Sequence, residues 1–231
     1  MPVLVGARVG VPGVVDKFHD PMLTPKDVAR HLEIPVSTVR YWLGEKAHGA
    51  PLVHQVPAEK RGRPSVPFIA VVEAYVLRSL RDLGLGMAKI EQAAAEIRKT
   101  FKTPYALATK KITTDGVDIF VHYAGDELAR VGDNQQPIRE IIDGYLHFIE
   151  WDTADDFAGS LRLRQYPDVA PVILDPRFGH GVPVIRSSKV PVDAVVDLWL
   201  AGEPFSAVAY EYGLAVDQVE AICRVHASHA A

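Results

Sequence analysis

The chain has 231 residues, 48% of them hydrophobic, and a formal net charge of −4. That is enough to bury a real core and to divide into two domains, and a single cysteine, Cys223, excludes a disulfide framework and a cysteine zinc site. The net charge hides a division: residues 1–111 hold 17 Lys+Arg against 10 Asp+Glu, whereas residues 112–231 hold 8 against 19. A basic first half suits a phosphate backbone and an acidic second half does not, although both sets also fit plain solvated faces.

No apolar run is long enough to span a bilayer. The N-terminus lacks the basic start of a signal peptide and is broken by Gly6, Arg8, Gly10, Pro12 and Gly13. A cytoplasmic protein with no membrane partner is therefore expected. Residues 1–21 alternate apolar positions at Val3, Val5, Val9 and Val11, which predicts an extended arm.

A helix begins after Thr24, with Pro25 at its first position and Asp27 three residues past the cap. Val28, Ala29 and Leu32 form its apolar face, and Pro35 ends it while opening a second short helix. On that second helix Val36, Val39 and Trp42 or Leu43 face inward, leaving Ser37, Thr38, Arg40 and Tyr41 largely outward. Two short helices, a tight turn and a polar outer face describe a helix-turn-helix. An ordinary αα-hairpin in a core has the same spacing.

Residues 47–63 then read as a wing, with Leu52, Val53 and Val56 in short strand pieces and Lys60, Arg61 and Arg63 near its base or tip. A strongly apolar helix spans 67–83 and ends at Gly84; another spans 87–101, with Ile90, Ala94, Ile97 and Phe101 on one face. Lys110 to Tyr123 predicts a hairpin turning at Asp115-Gly116. Glu127 to Val131 offers a further strand, Pro137 to Ile149 a helix, and Leu161 to Tyr166 an exposed, alternating strand.

After Pro167 and Pro171, strands at 172–174 and 184–186 flank a turn containing Gly179 and Gly181. Three helices follow: 192–201 closed by Gly202, 204–212 closed by Gly213, and 216–225. The middle pair has helix-turn-helix proportions, but Glu203, Glu211, Asp217 and Glu220 make its face acidic, so packing or dimerisation is expected of it rather than DNA binding. Leu198, Trp199, Phe205, Tyr210 and Ile222 are the candidates for a two-fold contact.

The segment S-T-V-R-Y-W-L at 37–43 resembles the recognition helix of MerR-family winged-helix DNA-binding proteins. The helix ending L-R-D-L-G-L-G-M-A-K-I at 80–90 continues that likeness, which spans about residues 23–97. It departs at Pro35, where the family has a Ser or Thr cap. Asp175-Pro176, Gly181, Pro183-Val184-Ile185-Arg186, Val190-Pro191-Val192, Ala201-Gly202-Glu203 and Tyr212-Gly213 resemble a small bacterial domain family long catalogued without a function. Ser188 and Lys189 stand where that family has Thr-Arg.

With a MerR-like domain in front, the whole chain resembles antitoxins of the VapBC type, which are encoded beside PIN-like ribonucleases. The resemblance implies an α+β, mainly helical protein in four parts. These are an arm (1–21), a winged helix-turn-helix (22–105), a β-hairpin and helix connection (106–166) and a small antitoxin-like domain (167–231). It implies operator double-stranded DNA as one partner; the outward positions of the second helix and the local basic charge make Ser37, Thr38, Arg40, Tyr41, Lys60, Arg61 and Arg63 the expected contacts. It implies a PIN-like ribonuclease toxin as the other. Such toxins gather carboxylates around a divalent metal, which makes Arg177, Arg186 and Lys189 the expected blocking cations; strand caps sitting in solvent are the alternative reading of the same three. A homodimer is expected because one helix-turn-helix reads only a few base pairs, so specificity needs two half-sites.

No catalytic or metal-ligand spacing occurs among the scattered histidines, so no cofactor and no enzymatic activity are expected. Asp155-Asp156 reads as a solvated loop pair. Gly179-His180-Gly181 could cradle an anion, but a turn explains it more simply. The alternative function is a MerR-like regulator that senses a small molecule through the region after Phe101. A sensor of that kind dimerises through a long helix, which Pro104 interrupts here.

Overall fold

In the computed structural model the described residues are 15–44, 51–124 and 138–230. The arm over residues 1–14, the first part of the wing and the strand expected at Glu127 to Val131 lie outside them. The first two helices are α1 (Pro25–His31) and α2 (Val36–Leu43). Thr24 and Asp27 form a reciprocal capping box: the Thr24 hydroxyl accepts from the Asp27 N–H, and the Asp27 carboxylate accepts from the Thr24 N–H at 3.0 Å. Pro35 caps α2 without a side-chain hydrogen bond, so packing alone fixes its start. Ala29 is buried between the two helices, and Val39, Trp42 and Leu43 face the core. Val36, expected inward, is exposed on the first turn.

Helix α3 (Phe68–Asp82) is buried along nearly its whole length, and α4 (Met87–Phe101) packs beside it through Ile90, Ala93, Ala94 and Ile97. Gly84, with φ of 83°, ends α3 in the left-handed conformation that glycine adopts without strain. The reading of 110–123 as a hairpin is corrected. A 3₁₀ turn (Lys110–Thr113) leads into α5 (Asp115–Ala124). The apolar residues Val117 and Phe120 bury with Ile112 at helical spacing rather than by alternation. Gly116 serves close packing: a Cβ on it would lie 2.6 Å from Ile112 Cδ1.

Helix α6 (Ile138–Leu146) stops before Ile149, which instead begins a strand. Four strands, β1 (Ile149–Trp151), β2 (Ala158–Arg162), β3 (Val172–Leu174) and β4 (Val184–Ile185), form one antiparallel sheet in chain order. The strand expected to be exposed at 161–166 is therefore shifted and central: Leu161 pairs with Ile149 and Leu174, and Leu161 and Leu163 are buried. The antiparallel pair in the middle of the chain is thus β1–β2.

Helices α7 (Val192–Leu200), α8 (Phe205–Tyr212) and α9 (Val216–Ala230) close the fold, with Gly202 and Gly213 at positive φ where expected. Cys223 is buried on α9, and burial pushes its thiol pKa up, consistent with a small hydrophobe. The molecule is α+β and mainly helical. Among the described residues no helix is long and apolar enough to cross a membrane.

The capping box carries a measurable share of α1. Thr24→Ala should lower stability by about 1 kcal/mol in urea unfolding, with the m-value unchanged.

Candidate functional site

The exposed face of α2 and the loop that follows it form one unit. Ser37, Arg40 and Tyr41 are exposed and Thr38 is half-buried, as an outward-facing helix requires. The Tyr41 hydroxyl donates to Glu91 Oε1 on α4 at 3.0 Å, so this side chain also steadies the helix on its support. The loop is pinned at both ends. Val53 N–H donates to the Trp42 carbonyl (3.0 Å), and Gln55 Nε2 to the Leu43 carbonyl (3.1 Å). Farther along, Val56 N–H donates to the Ser65 carbonyl (2.9 Å), and Leu23 pairs with Val66 in an isolated bridge.

Beyond the Val56–Ser65 bond the chain turns at Lys60–Arg63, with Arg63 N–H donating to the Lys60 carbonyl and Gly62 at φ 83°. Lys60, Arg61 and Arg63 are exposed at this tip. The expected strand pieces form no ladder among the described residues: Leu52 and Val53 are core residues. Over residues 51–66 the wing is an irregular loop held by these anchors.

A buried polar cluster missed by sequence reasoning holds the loop's root. Glu73 on α3 is 0% exposed, and its Oε2 accepts from the His54 N–H at 3.0 Å. Arg98 on α4 lies 3.9 Å from Glu73 Oε1 and donates to the carbonyls of Pro51 (3.0 Å) and Leu52 (2.6 Å). Burial pushes the Glu73 carboxyl up to about 7, against the opposing pull of Arg98 and the His54 N–H. His54 is driven down to about 4, first by burial and then by Arg98, so its ring is neutral and stacks on Tyr105 at 4.4 Å. A lone acid inside F-I-A-V-V-E-A-Y-V was the signal that could have revealed it.

The C-terminal turn brings together two of the three expected cations. Asp175, nearly fully buried, accepts from Arg177 Nε at 2.9 Å and Nη2 at 2.7 Å, which locks a guanidinium that is 68% exposed. Arg177 lies 5.8 Å and Lys189 4.9 Å from the ring centre of the exposed Phe178. Arg186 is drawn to the Glu150 carboxylate on β1, while Lys189 Nζ donates to the Arg186 carbonyl at 2.9 Å. Phe178 was not singled out from the sequence, although it sits between cations in the signature segment.

Of the residues proposed for a two-fold contact, Tyr210 is 90% exposed and Leu198, Trp199 and Phe205 are half-buried. Ile222 is corrected: it is fully buried within the C-terminal helices and cannot reach a partner. Leu200 and Val216 are exposed nearby.

Residues 21–94 match the family described as "Putative DNA-binding HTH domain", and residues 172–224 match "Protein of unknown function (DUF433)". Over 224 residues the chain is 32% identical to "Putative antitoxin VapB45" of Mycobacterium tuberculosis, covering 88% of this chain and 92% of that protein. The chain belongs to the VapB45 antitoxin family. The crystal structure of Rv2018 from Mycobacterium tuberculosis aligns with it at a TM-score of 0.75 and 31% identity, over 88% of this chain and 98% of that one. As a member of this family the chain combines the helix-turn-helix of α1 and α2, on its α3–α4 support, with the DUF433 unit that runs from β3 into α9.

The buried acid gives a pH signature. Glu73 sits above its ordinary 4.5, so its contribution to stability is present at low pH and lost as pH rises toward about 7. Glu73→Gln removes that loss. The melting temperature of the variant relative to wild type should rise between about pH 5 and about pH 8 in calorimetric scans. His54 and His31 push wild type the opposite way over about pH 4 to 6.5, but both are common to the two proteins and cancel.

Proposed function

We propose that this chain neutralises a PIN-like ribonuclease toxin through its C-terminal unit and represses its own operon through its helix-turn-helix, acting as a homodimer. The observation that carries the reading is the pairing of an exposed polar helix with a cationic loop tip on one support. Arg40, Ser37, Thr38 and Tyr41 meet base edges in this reading, and the exposed Lys60, Arg61 and Arg63 meet flanking phosphates. One such unit reads few base pairs, so specificity calls for two copies about one helical turn apart. Exposed Leu200 and Tyr210, with Leu198, Trp199 and Phe205 beside them, supply apolar surface for that contact.

The toxin-facing part of the proposal rests on the locked Arg177. Two of its nitrogens are held by Asp175, which leaves Nη1 and the outer guanidinium edge to bridge to a carboxylate without reorganising the side chain. Phe178 adds an apolar anchor between Arg177 and Lys189.

Arg40→Ala should cost about 1–3 kcal/mol of operator affinity if Arg40 reads a base. Arg61→Ala should weaken all DNA alike and flatten the salt dependence. Unchanged operator affinity in the double variant at low salt overturns the DNA assignment. In the complex with the ribonuclease, Arg177→Glu and Phe178→Ala should each weaken inhibition by about tenfold or more, as loss of an interface anchor does. If charge reversal at Arg177, Arg186 and Lys189 in turn leaves the toxin fully inhibited, blocking runs through another surface. Light scattering should give a dimer without DNA, and Tyr210→Glu together with Leu200→Glu should give a monomer.

A further inference from the structure

A cavity of about 520 Å³ opens between the helix-turn-helix and the C-terminal unit, a volume within the range that holds a small organic molecule. One wall is the end of α1 and the turn after it, with Arg30 and Ile34; the other carries Tyr166, Pro183, Val192 and Asp193. Ile34, Pro183, Val192 and Tyr166 supply the apolar part of its lining. Its rim carries charges of opposite sign. Arg30, at the exposed end of α1, reaches the Asp27 carboxylate only at 3.9 Å, a weak pairing. Asp193, exposed on the first turn of α7, has no ion pair among the described residues. The other acid at the rim, Glu33, is already paired with Arg78 at 3.5 Å.

The polar groups inside the wall are also incompletely used. The Tyr166 hydroxyl makes no hydrogen bond among the described residues. Burial, then Asp193, raises its pKa to about 12, so it remains a donor. Gln165 spends its amide N–H on the His31 carbonyl at 3.1 Å, which ties the two walls together and leaves its own carbonyl oxygen as an acceptor. His31 stands in the same wall, nearly buried, with Nε2 unpartnered.

A cation and an anion left under-used in one partly apolar cavity match one chemical class. We propose that this cavity binds a free α-amino acid with an apolar side chain. Its carboxylate faces Arg30 and the Tyr166 hydroxyl, its ammonium faces Asp193, and its side chain lies against Ile34, Pro183 and Val192. A simple carboxylic acid leaves Asp193 unanswered, and a simple amine leaves Arg30 unanswered. Because the walls belong to the helix-turn-helix and the C-terminal unit, the ligand would fasten one to the other. The proposal does not depend on the toxin or operator reading.

The test is calorimetric titration of the full chain with L-leucine and L-phenylalanine. Saturable one-to-one binding is expected for at least one of them, with a raised melting temperature at saturation. 4-Methylpentanoate, which lacks the ammonium, and 3-methylbutylamine, which lacks the carboxylate, should each bind roughly tenfold more weakly than L-leucine or worse. Arg30→Gln and Asp193→Asn change exposed side chains and leave the core intact; each should lose about tenfold in amino-acid affinity. Val192→Phe, which fills the apolar part of the cavity, should abolish binding while the chain still melts cooperatively. No saturation with either amino acid overturns the proposal, because the cavity then holds only solvent. Equal binding of 4-methylpentanoate, or unchanged affinity in both charge variants, overturns the zwitterion assignment.

Discussion

Helix α3 is apolar on almost every side, and a helix of that kind is stable in water only when other elements cover it completely. The rest of the molecule is arranged by that requirement. Helix α4, the buried 3₁₀ turn at Ala106–Ala108, helix α6 and strand β2 all pack on it, and the Lys17 carbonyl accepts from Ile69 N–H at 3.0 Å near its start. The Tyr75 hydroxyl, buried on the same helix, donates to the Tyr145 carbonyl at 2.8 Å and so fixes α6. The helix-turn-helix and the sheet are placed relative to each other because both are fastened to this one rod.

Placing a carboxylate inside that rod is costly, since burial disfavours its charged form. Glu73 is tolerated because it satisfies the His54 backbone and lies against Arg98, which in turn holds the Pro51 and Leu52 carbonyls. The cluster therefore links the core to the root of the cationic loop. Residues 16–20 close over the same region. Phe18 meets Tyr105 at a tilt and Phe157 edge-on, and Lys17 pairs with Asp155 at 2.9 Å on the loop between β1 and β2. An irregular loop is held in one shape this way without a strand ladder.

The surfaces of the two units offer different chemistry. Around α2 the accessible groups are a polar helix face and exposed cations; around α7, α8 and α9 they are acids with exposed Leu200, Tyr210 and Val216. Membership of an antitoxin family accounts for a chain that carries a helix-turn-helix and a second, DUF433 unit in one fold. The strand–turn–strand at the start of that second unit fixes Arg177 against Asp175 and sets Phe178 beside Lys189. A turn built from Gly179, His180 and Gly181 at positive φ makes this possible, and a Cβ on Gly181 would press on Met22 at 3.0 Å.

Local signals in the sequence were sufficient wherever one residue's chemistry acts on its own neighbours. Thr24 and Asp27 announce the start of α1, and Gly84, Gly202 and Gly213 announce helix ends, because capping and positive φ are decided within a few residues. The polar face of α2 and the division of charge were legible for the same reason. Segments whose partners are distant were not. Residues 110–123 have the β-branched content of a hairpin, yet become a 3₁₀ turn and a helix because Ile112, Val117 and Phe120 fit against α4 and α6. Leu161 became central only when strands from both sides paired with it. The Glu73 cluster, the Phe178 surface and the cavity between Arg30 and Asp193 each join residues far apart in the chain, and burial and juxtaposition across such distances exist only once the chain has folded.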